Sequence, residues 1–202
     1  MEKLKKLLLT GFEPFLDFKE NPTEKIVSSL NGQEIGEYEV FARLLPVDFK
    51  QAGVELLSHY DEIKPDAVLS LGLAAGRNRI TPERIAINCI GKTADNQGAT
   101  YNDDPIAEDG ADGLFSRLPI HRIVDRLNEE GYPAVISDTA GTYLCNFVMY
   151  TMLHKLRQTG EQIPAGFVHV PASHELAMEN HRLPSWSQSD IQNSVITIIG
   201  CL

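Results

Sequence analysis

The sequence predicts a single-domain α/β fold: a three-layer α/β/α arrangement in which helices cover both faces of a mostly parallel, twisted sheet. Short apolar runs alternate with segments of helical spacing from one end of the chain to the other. The length of 202 residues is little more than one domain at ~150 residues per domain. No repeat, low-complexity tract or linker interrupts the pattern. We therefore expect one domain over residues 1–202.

The first half of the chain contains three apolar runs and two amphipathic segments. Asn21 and Pro22 have the residue types of a helix N-cap and first turn, and they predict a helix that ends near Leu30. A second helix is predicted over residues 49–60 from apolar residues at helical spacing. The predicted strands are residues 7–9, 38–45 and 67–71. The last of these is apolar throughout, which is typical of a strand buried in a parallel sheet.

The second half repeats this alternation after a polar interruption. A short alternating strand is predicted at residues 85–87, and residues 91–113 are rich in Asp, Asn and Gly. This polar stretch predicts a long surface excursion with room for a small hairpin of its own. Helices are then predicted at residues 119–130, 146–158 and 190–200. Buried strands are predicted at residues 134–137 and 166–170.

Composition excludes several classes of protein. Asp and Glu number 28 against 18 Lys and Arg, so the net charge of −10 argues against a nucleic-acid partner. No apolar run approaches the ~18 residues of a membrane span, and residues 1–10 lack the features of a signal peptide. Three widely spaced cysteines do not suggest a disulfide framework and fit a reducing cytoplasm. No cluster has metal-ligand spacing and both glycine motifs fail as nucleotide loops, so neither metal nor cofactor is expected.

Reactive residues stand at three predicted strand ends, where the active sites of parallel α/β folds collect. Cys145 stands where a helix starts after the 134–137 strand, and His169 lies at the end of the 166–170 strand. Glu83 follows the 67–71 strand through a short connection. A helix N-terminus favours the thiolate and can stabilise an oxyanion, an imidazole can act as base and acid, and a carboxylate can orient that imidazole.

Position alone leaves plainer interpretations open for all three residues. Cys145 can be a packed cysteine at a helix start, and His169 a structural histidine at a strand end. Glu83 can be a surface carboxylate paired with its neighbour Arg84.

Four segments of the chain resemble the pyroglutamyl peptidase I family of cysteine peptidases, also called pyrrolidone carboxyl peptidases. The segments are Thr-Gly-Phe-Glu-Pro-Phe at 10–15 with Asn-Pro-Thr at 21–23, residues 72–88 around Thr-Pro-Glu-Arg-Ile-Ala, Ser-Asp-Thr-Ala-Gly-Thr-Tyr-Leu-Cys-Asn at 137–146, and Gly-Phe-Val-His-Val-Pro at 166–171. The glutamate and cysteine segments are specific signatures, and the matches span about 160 residues in order. The resemblance implies a phosphorylase/hydrolase-like fold, a homotetramer and no cofactor.

The resemblance also implies a role for each matching residue. Cys145 would be the nucleophile, His169 the general base and acid, and Glu83 the orienting carboxylate in the removal of an N-terminal pyroglutamyl (5-oxoproline) residue through a thioester. The substrate would be a pyroglutamyl peptide. The residues expected at the substrate pocket are Phe12, Phe15, Asn21, Leu73, Tyr143 and Leu144. By residue type alone the phenylalanines can also be core residues and Asn21 only a helix cap.

The chain departs from the family pattern near the expected site. Leu73 stands where many members have Gln, and residues 91–96 lack the Arg that the family places close to the catalytic groups. Lys92 is the candidate replacement for that charge, although a Lys ammonium lacks the planar fork of Arg. These departures keep two alternatives open: another thiol hydrolase of small amides, and a non-catalytic or altered-specificity member that binds 5-oxoproline-like amides. Cys201, next to the C-terminus, is either an inert helix-end residue or a thiol exposed for intermolecular disulfide formation.

Overall fold

Strands and helices alternate along the chain in this computed structural model, which describes residues 3–15 and 18–202. The strands are β1 (Lys5–Phe12), β2 (Glu34–Ile35), β3 (Tyr38–Leu45), β4 (Ala67–Leu73), β5 (Thr81–Pro82), β6 (Ile85–Ile87), β7 (Gly113–Phe115), β8 (Ala165–Val170), β9 (Ala172–Ser173) and β10 (Ser185–Trp186). The helices are α1 (Pro22–Leu30), α2 (Phe49–Ile63), α3 (Ile120–Glu129), α4 (Leu144–Thr159), α5 (His174–Glu179) and α6 (Gln188–Ile199).

Six strands form the main sheet in the order β2-β3-β1-β4-β8-β5. The four central strands are parallel to one another, and the short outer strands β2 and β5 pair antiparallel. The carboxyl ends of β1, β4 and β8 therefore lie side by side at one edge. The predicted α/β class with a mostly parallel sheet is confirmed.

Helices cover both faces of this sheet because side chains alternate along each strand. In β1, Leu7 and Leu9 pack into the core formed with α1, α3 and α6. Leu8 points the other way, into the core formed with α2 and α4. All three leucines are fully buried, so neither face of the central strands is left to solvent. Cys145, at the start of α4, and Phe167, in β8, belong to this second core.

Capping residues set the predicted helix starts. The Asn21 side chain accepts a hydrogen bond from the backbone N–H of Thr23, and Pro22 occupies the first turn of α1, as predicted. Ser187 caps α6 in the same manner, so this helix begins two residues before the predicted start at 190. Helix α4 also begins two residues early, at Leu144. This places Cys145 inside the first turn.

Residues 134–137 are not the buried strand that their apolar character predicts. They run parallel to residues 80–84, and the N–H groups of Val135 and Ser137 donate to the carbonyls of Ile80 and Pro82, but Val135 is 45% exposed. The physical reason is their place at the outer edge of the sheet, beyond β5, which leaves Val135 open to solvent. Residues 91–113 form the predicted excursion, and its two ends are joined by the antiparallel pair β6 and β7. Among the described helices, none combines the length and the apolar character needed to cross a membrane.

Candidate active site

Cys145 is the second residue of α4, and its side chain is half-buried. The first hydrogen bond of this helix turn runs from the Phe147 N–H to the Tyr143 carbonyl at 3.0 Å. The N–H groups of Leu144, Cys145 and Asn146 therefore precede the repeating helical bonds, as in the first turn of any helix. The sulfur atom thus stands beside the positive end of the helix dipole, which favours negative charge.

His169 lies beneath this thiol because of the strand register. Gly72 in β4 pairs with His169 in the neighbouring strand β8. A β-carbon added to Gly72 would come within 2.9 Å of Cys145 Sγ and 2.7 Å of Phe167 Cζ. The sulfur atom therefore sits directly over a position that only glycine leaves open, next to the imidazole.

Glu83 completes the line of three side chains. It is fully buried, and its Oε1 lies 2.6 Å from Nδ1 of His169. The backbone N–H of Glu83 donates to the Phe167 carbonyl at 2.9 Å, which ties the segment to β8. The plainer interpretation, a surface glutamate paired with Arg84, is wrong, since Arg84 Nε instead contacts Asp138 Oδ1 at 2.5 Å.

Arg77 also contacts this carboxylate, and the sequence interpretation assigned it no role. Its Nη1 donates to Glu83 Oε1 at 2.7 Å and to Thr81 Oγ1 at 2.6 Å. Its Nη2 donates to the Thr139 carbonyl at 3.3 Å. An arginine in a polar turn resembles many surface arginines in sequence, so only the folded chain reveals this contact.

The charge state of His169 follows from its neighbours. Burial acts to lower the pKa of His169, but the negative charge of Cys145, its hydrogen bond to the imidazole, and the hydrogen bond and charge of Glu83 together raise that pKa to about 9. The direction follows from the geometry, since the ring lies between a thiol that can ionise and a buried carboxylate. The imidazolium form is therefore favoured at neutral pH, as a thiolate–imidazolium pair requires.

A small apolar pocket opens beside the sulfur atom. The space among its lining residues amounts to about 230 Å³, which includes open solvent at the mouth. The structure brings all six predicted pocket residues together with Cys145, and adds Val47, which had no distinguishing signal in the sequence. The lining residues are Phe12, Phe15, Asn21, Val47, Leu73, Tyr143, Leu144 and Cys145.

Hydrogen bonds hold the pocket walls in place. Glu13 Oε1 accepts from the Val47 N–H at 3.0 Å, and Asn96 Nδ2 donates to the Pro14 carbonyl at 3.0 Å. Tyr143 Oη donates to the Ala94 carbonyl at 3.0 Å. Burial raises the pKa of Tyr143 to about 12, so this phenol remains a neutral donor. The polar excursion is thus attached to the pocket walls through Ala94 and Asn96.

Other predicted positions lie elsewhere. Lys92 is exposed and lines a different surface cavity with Thr100, Tyr101, Asn102 and Asp104. All three cysteines are free thiols, and Cys201 is only 3% exposed, which favours its interpretation as a packed helix-end residue. Within residues 3–15 and 18–202, no group of three or more His, Cys, Asp or Glu side chains is arranged to hold a metal ion.

Known proteins match the chain over almost its whole length. A family model described as pyroglutamyl peptidase matches residues 5–201. The chain is 53% identical over 194 residues to a pyrrolidone-carboxylate peptidase of Halalkalibacterium halodurans, with 96% of each protein covered, and 52% identical over 199 residues to one of Oceanobacillus iheyensis, covering 98% of this chain and 100% of the relative. The solved pyrrolidone carboxyl peptidase of Thermococcus litoralis superposes with a TM-score of 0.94 at 39% identity, covering 97% of this chain and 92% of that one. With this match in sequence and fold, the chain belongs to the pyroglutamyl peptidase family.

Proposed function

We propose that this protein is a cysteine exopeptidase that removes an N-terminal pyroglutamyl residue from peptides. The observation that carries the proposal is the position of Cys145: its sulfur stands over Gly72 beside His169 and also lines the small apolar pocket. Membership of the family agrees with this activity. One atom thus has both the partner that a nucleophile needs and access to a site where a small ring can bind.

The pocket suits a five-membered lactam. Pyroglutamate is uncharged and compact, and it lacks the free amine of an ordinary N-terminal residue. Phe12, Phe15 and Val47 offer apolar contacts to the ring, while the Asn21 side chain lies buried behind the same pocket, with its polar atoms bonded to Thr23 and Glu13. An N-terminal residue with a free amine would have to bring its charge into this apolar space, which costs free energy.

The proposed reaction uses Cys145 and His169 in two acyl-transfer steps. Cys145 attacks the pyroglutamyl carbonyl as a thiolate, and the proton that His169 holds passes to the nitrogen of the leaving peptide. The carbon–nitrogen bond breaks and a thioester remains. His169, now neutral, then takes a proton from a water molecule, whose oxygen attacks the thioester carbonyl. The carbon–sulfur bond breaks, 5-oxoproline leaves, and Cys145 is again a thiolate beside protonated His169.

The start of α4 supplies charge stabilisation for both steps. Each attack places negative charge on the carbonyl oxygen, and the N–H groups of Leu144, Cys145 and Asn146 are donors that the helix itself does not use. Glu83 keeps the imidazole oriented through Nδ1, which leaves Nε2 to serve the reacting atoms.

The test is hydrolysis of a pyroglutamyl amide that releases a fluorophore. We expect activity in the wild-type protein, and at least ~10³-fold less in Cys145→Ser and after iodoacetamide treatment, as for other nucleophile removals. Cys89→Ser is the matched control because Cys89 is also a half-buried free thiol but lies outside the pocket. Full activity in Cys145→Ser would reject the nucleophile. No turnover, together with a higher melting temperature in 5-oxoproline, would instead support a non-catalytic binding protein.

Three wider features are part of the same proposal. We propose that residues 1–202 act as one domain, since the main sheet takes its strands from residues 5 to 170 and α6, near the C-terminus, packs into the same core. We propose a cytoplasmic location, supported by three unpaired thiols.

We also propose a homotetramer, supported by apolar side chains left exposed on β6 and β7, with Phe115 at 68%. Light scattering of the purified protein tests the assembly, and a monomer mass would reject it.

A further inference from the structure

We propose that Arg77 is a positioning residue for the peptidase reaction, acting through Glu83 to hold His169 in its working orientation. The proposal rests on the proposed function for its kinetic meaning. The geometry that supports it does not depend on the identity of the substrate.

The first argument is the sharing of one oxygen atom. Glu83 Oε1 accepts from Arg77 Nη1 at 2.7 Å and lies 2.6 Å from His169 Nδ1. The other oxygen, Oε2, is buried with no hydrogen-bond partner among the described residues. The guanidinium therefore binds the very atom that orients the imidazole, so any movement of Arg77 is passed directly to that contact.

The second argument is the set of segments that Arg77 joins. It follows β4, and its fork reaches Thr81 in β5, Glu83 beyond it, and the carbonyl of Thr139 in the loop that leads to Cys145. One of these segments carries the Glu83 carboxylate, and the other leads to the nucleophile Cys145. A planar guanidinium can make all these contacts at once, whereas a Lys ammonium acts as a point charge.

The third argument is electrostatic. Glu83 is fully buried, and a buried negative charge costs free energy unless a cation or hydrogen bonds compensate for its lost solvation. His169 supplies positive charge only while it is protonated, and that proton leaves and returns during the reaction. Arg77 stays charged throughout. It therefore keeps a positive charge 2.7 Å from Glu83 Oε1 during the stage when His169 is neutral.

The remaining charged groups beside this cluster do not duplicate the role. Arg84 and Asp138, the neighbours of Glu83 and Thr139 in the chain, pair with each other, and Asp138 is mostly exposed. Cys145 is the remaining ionisable group that acts on His169. The charges that govern the site are therefore those of Cys145, His169, Glu83 and Arg77.

The test measures pH profiles in two ways for wild type, Arg77→Met and Arg77→Lys. One is turnover of a pyroglutamyl amide, and the other is the rate at which iodoacetamide alkylates Cys145, followed by mass spectrometry. Removing a cation favours protonation of its neighbours, so in Arg77→Met the midpoints of both profiles should move up by about one pH unit. kcat should fall about tenfold or more with little change in KM, because Arg77 does not line the pocket. Arg77→Lys should keep the midpoints and recover only part of kcat.

A double substitution separates positioning from general destabilisation. If Arg77 acts through Glu83, Arg77→Met should lower kcat less than twofold further in a Glu83→Gln background. Arg84→Met is the matched control, an arginine of similar exposure whose partner is Asp138, and its profiles should equal those of wild type.

Unchanged midpoints in folded Arg77→Met, or independent losses in the double variant, would overturn the proposal. If Arg77→Met does not fold, Arg77→Gln carries the same expectations. A wild-type protein without turnover would reject the proposed function alone, because the alkylation profiles still report on Arg77.

Discussion

Replacing Glu83 by Gln removes one negative charge from the ion pair with His169 while keeping the shape of the side chain. The pKa of His169 rises from 6.5 to about 9 because Cys145 and Glu83 outweigh the effect of burial. At 1.36 kcal/mol per pKa unit, this rise corresponds to about 3 kcal/mol of preference for the imidazolium. An opposite charge at this distance accounts for ~1–3 pKa units. The variant should therefore lower the pKa of His169 by at least about one unit.

This change should appear in the basic limb of the pH–rate profile. The imidazolium must donate a proton to the leaving peptide, so activity in wild type falls as pH rises through about 9. In Glu83→Gln the fall should begin at about pH 8 or below, and the maximum rate should be lower because the amide orients the ring less strongly. The measurement is kcat/KM on a pyroglutamyl amide between pH 5 and pH 10, in about half-unit steps.

Two comparisons make this result decisive. Glu161→Gln is the control, because Glu161 Oε2 accepts a short hydrogen bond from Tyr60 Oη at 2.5 Å but does not contact the site. Its profile should match wild type. A basic limb that stays near pH 9 in folded Glu83→Gln would refute the reasoning, since the raised pKa of His169 would then not depend on the carboxylate. The shift is opposite in direction to that expected for Arg77→Met.

Three further outcomes follow from the same geometry. Gly72→Ala should lower kcat/KM about tenfold or more, because its methyl group would lie 2.9 Å from Cys145 Sγ. Gly76→Ala, with no atom within 4 Å of the added carbon, is the control and should have the kcat/KM of wild type. Equal activities in the two variants would contradict the placement of the sulfur. Phe15→Ala should raise KM about tenfold or more with a smaller effect on kcat, since an apolar pocket contact contributes ~1–3 kcal/mol; an unchanged KM would exclude it from the pocket. Chemical denaturation should show that wild type loses up to about 3 kcal/mol more stability than His169→Gln as pH rises through about 9. The reason is that a group whose pKa is higher in the folded protein contributes its full stabilisation below its unfolded pKa of 6.5 and loses that contribution as pH rises through its folded pKa of about 9. If the free energy of unfolding changed with pH in the same way in both proteins, this expectation would be wrong.

The sheet and its helices were predictable because burial leaves a periodic trace in the sequence. Strands buried on both faces are continuous apolar runs, as in β4 and β8, and caps such as Asn21 show where a helix begins. The error at residues 134–137 shows the limit of this signal. An apolar run predicts an extended segment, but the burial of that segment depends on its place in the sheet, which the tertiary fold decides.

The candidate site was predictable in its residue types and less so in its connections. Cys145 and His169 stand at segment ends, where reactive groups in such folds collect, and the resemblance to known motifs selected them from the plainer interpretations. Arg77 and Val47 carried no comparable signal. Their contacts join positions that are far apart in the chain, so they exist only after the strands have paired.

By itself, the sequence determined the fold class, the order of its elements and the three residue types that a thiol acyl transfer needs. Local chemistry suffices for these, because periodicity, caps and motifs act over a few residues. The tertiary structure alone decided that Glu83 is buried, that Arg77 shares its oxygen with His169, and that Gly72 makes room for the sulfur of Cys145. Strand register decides which of these side chains face one another, and that register results from the packing of the whole sheet.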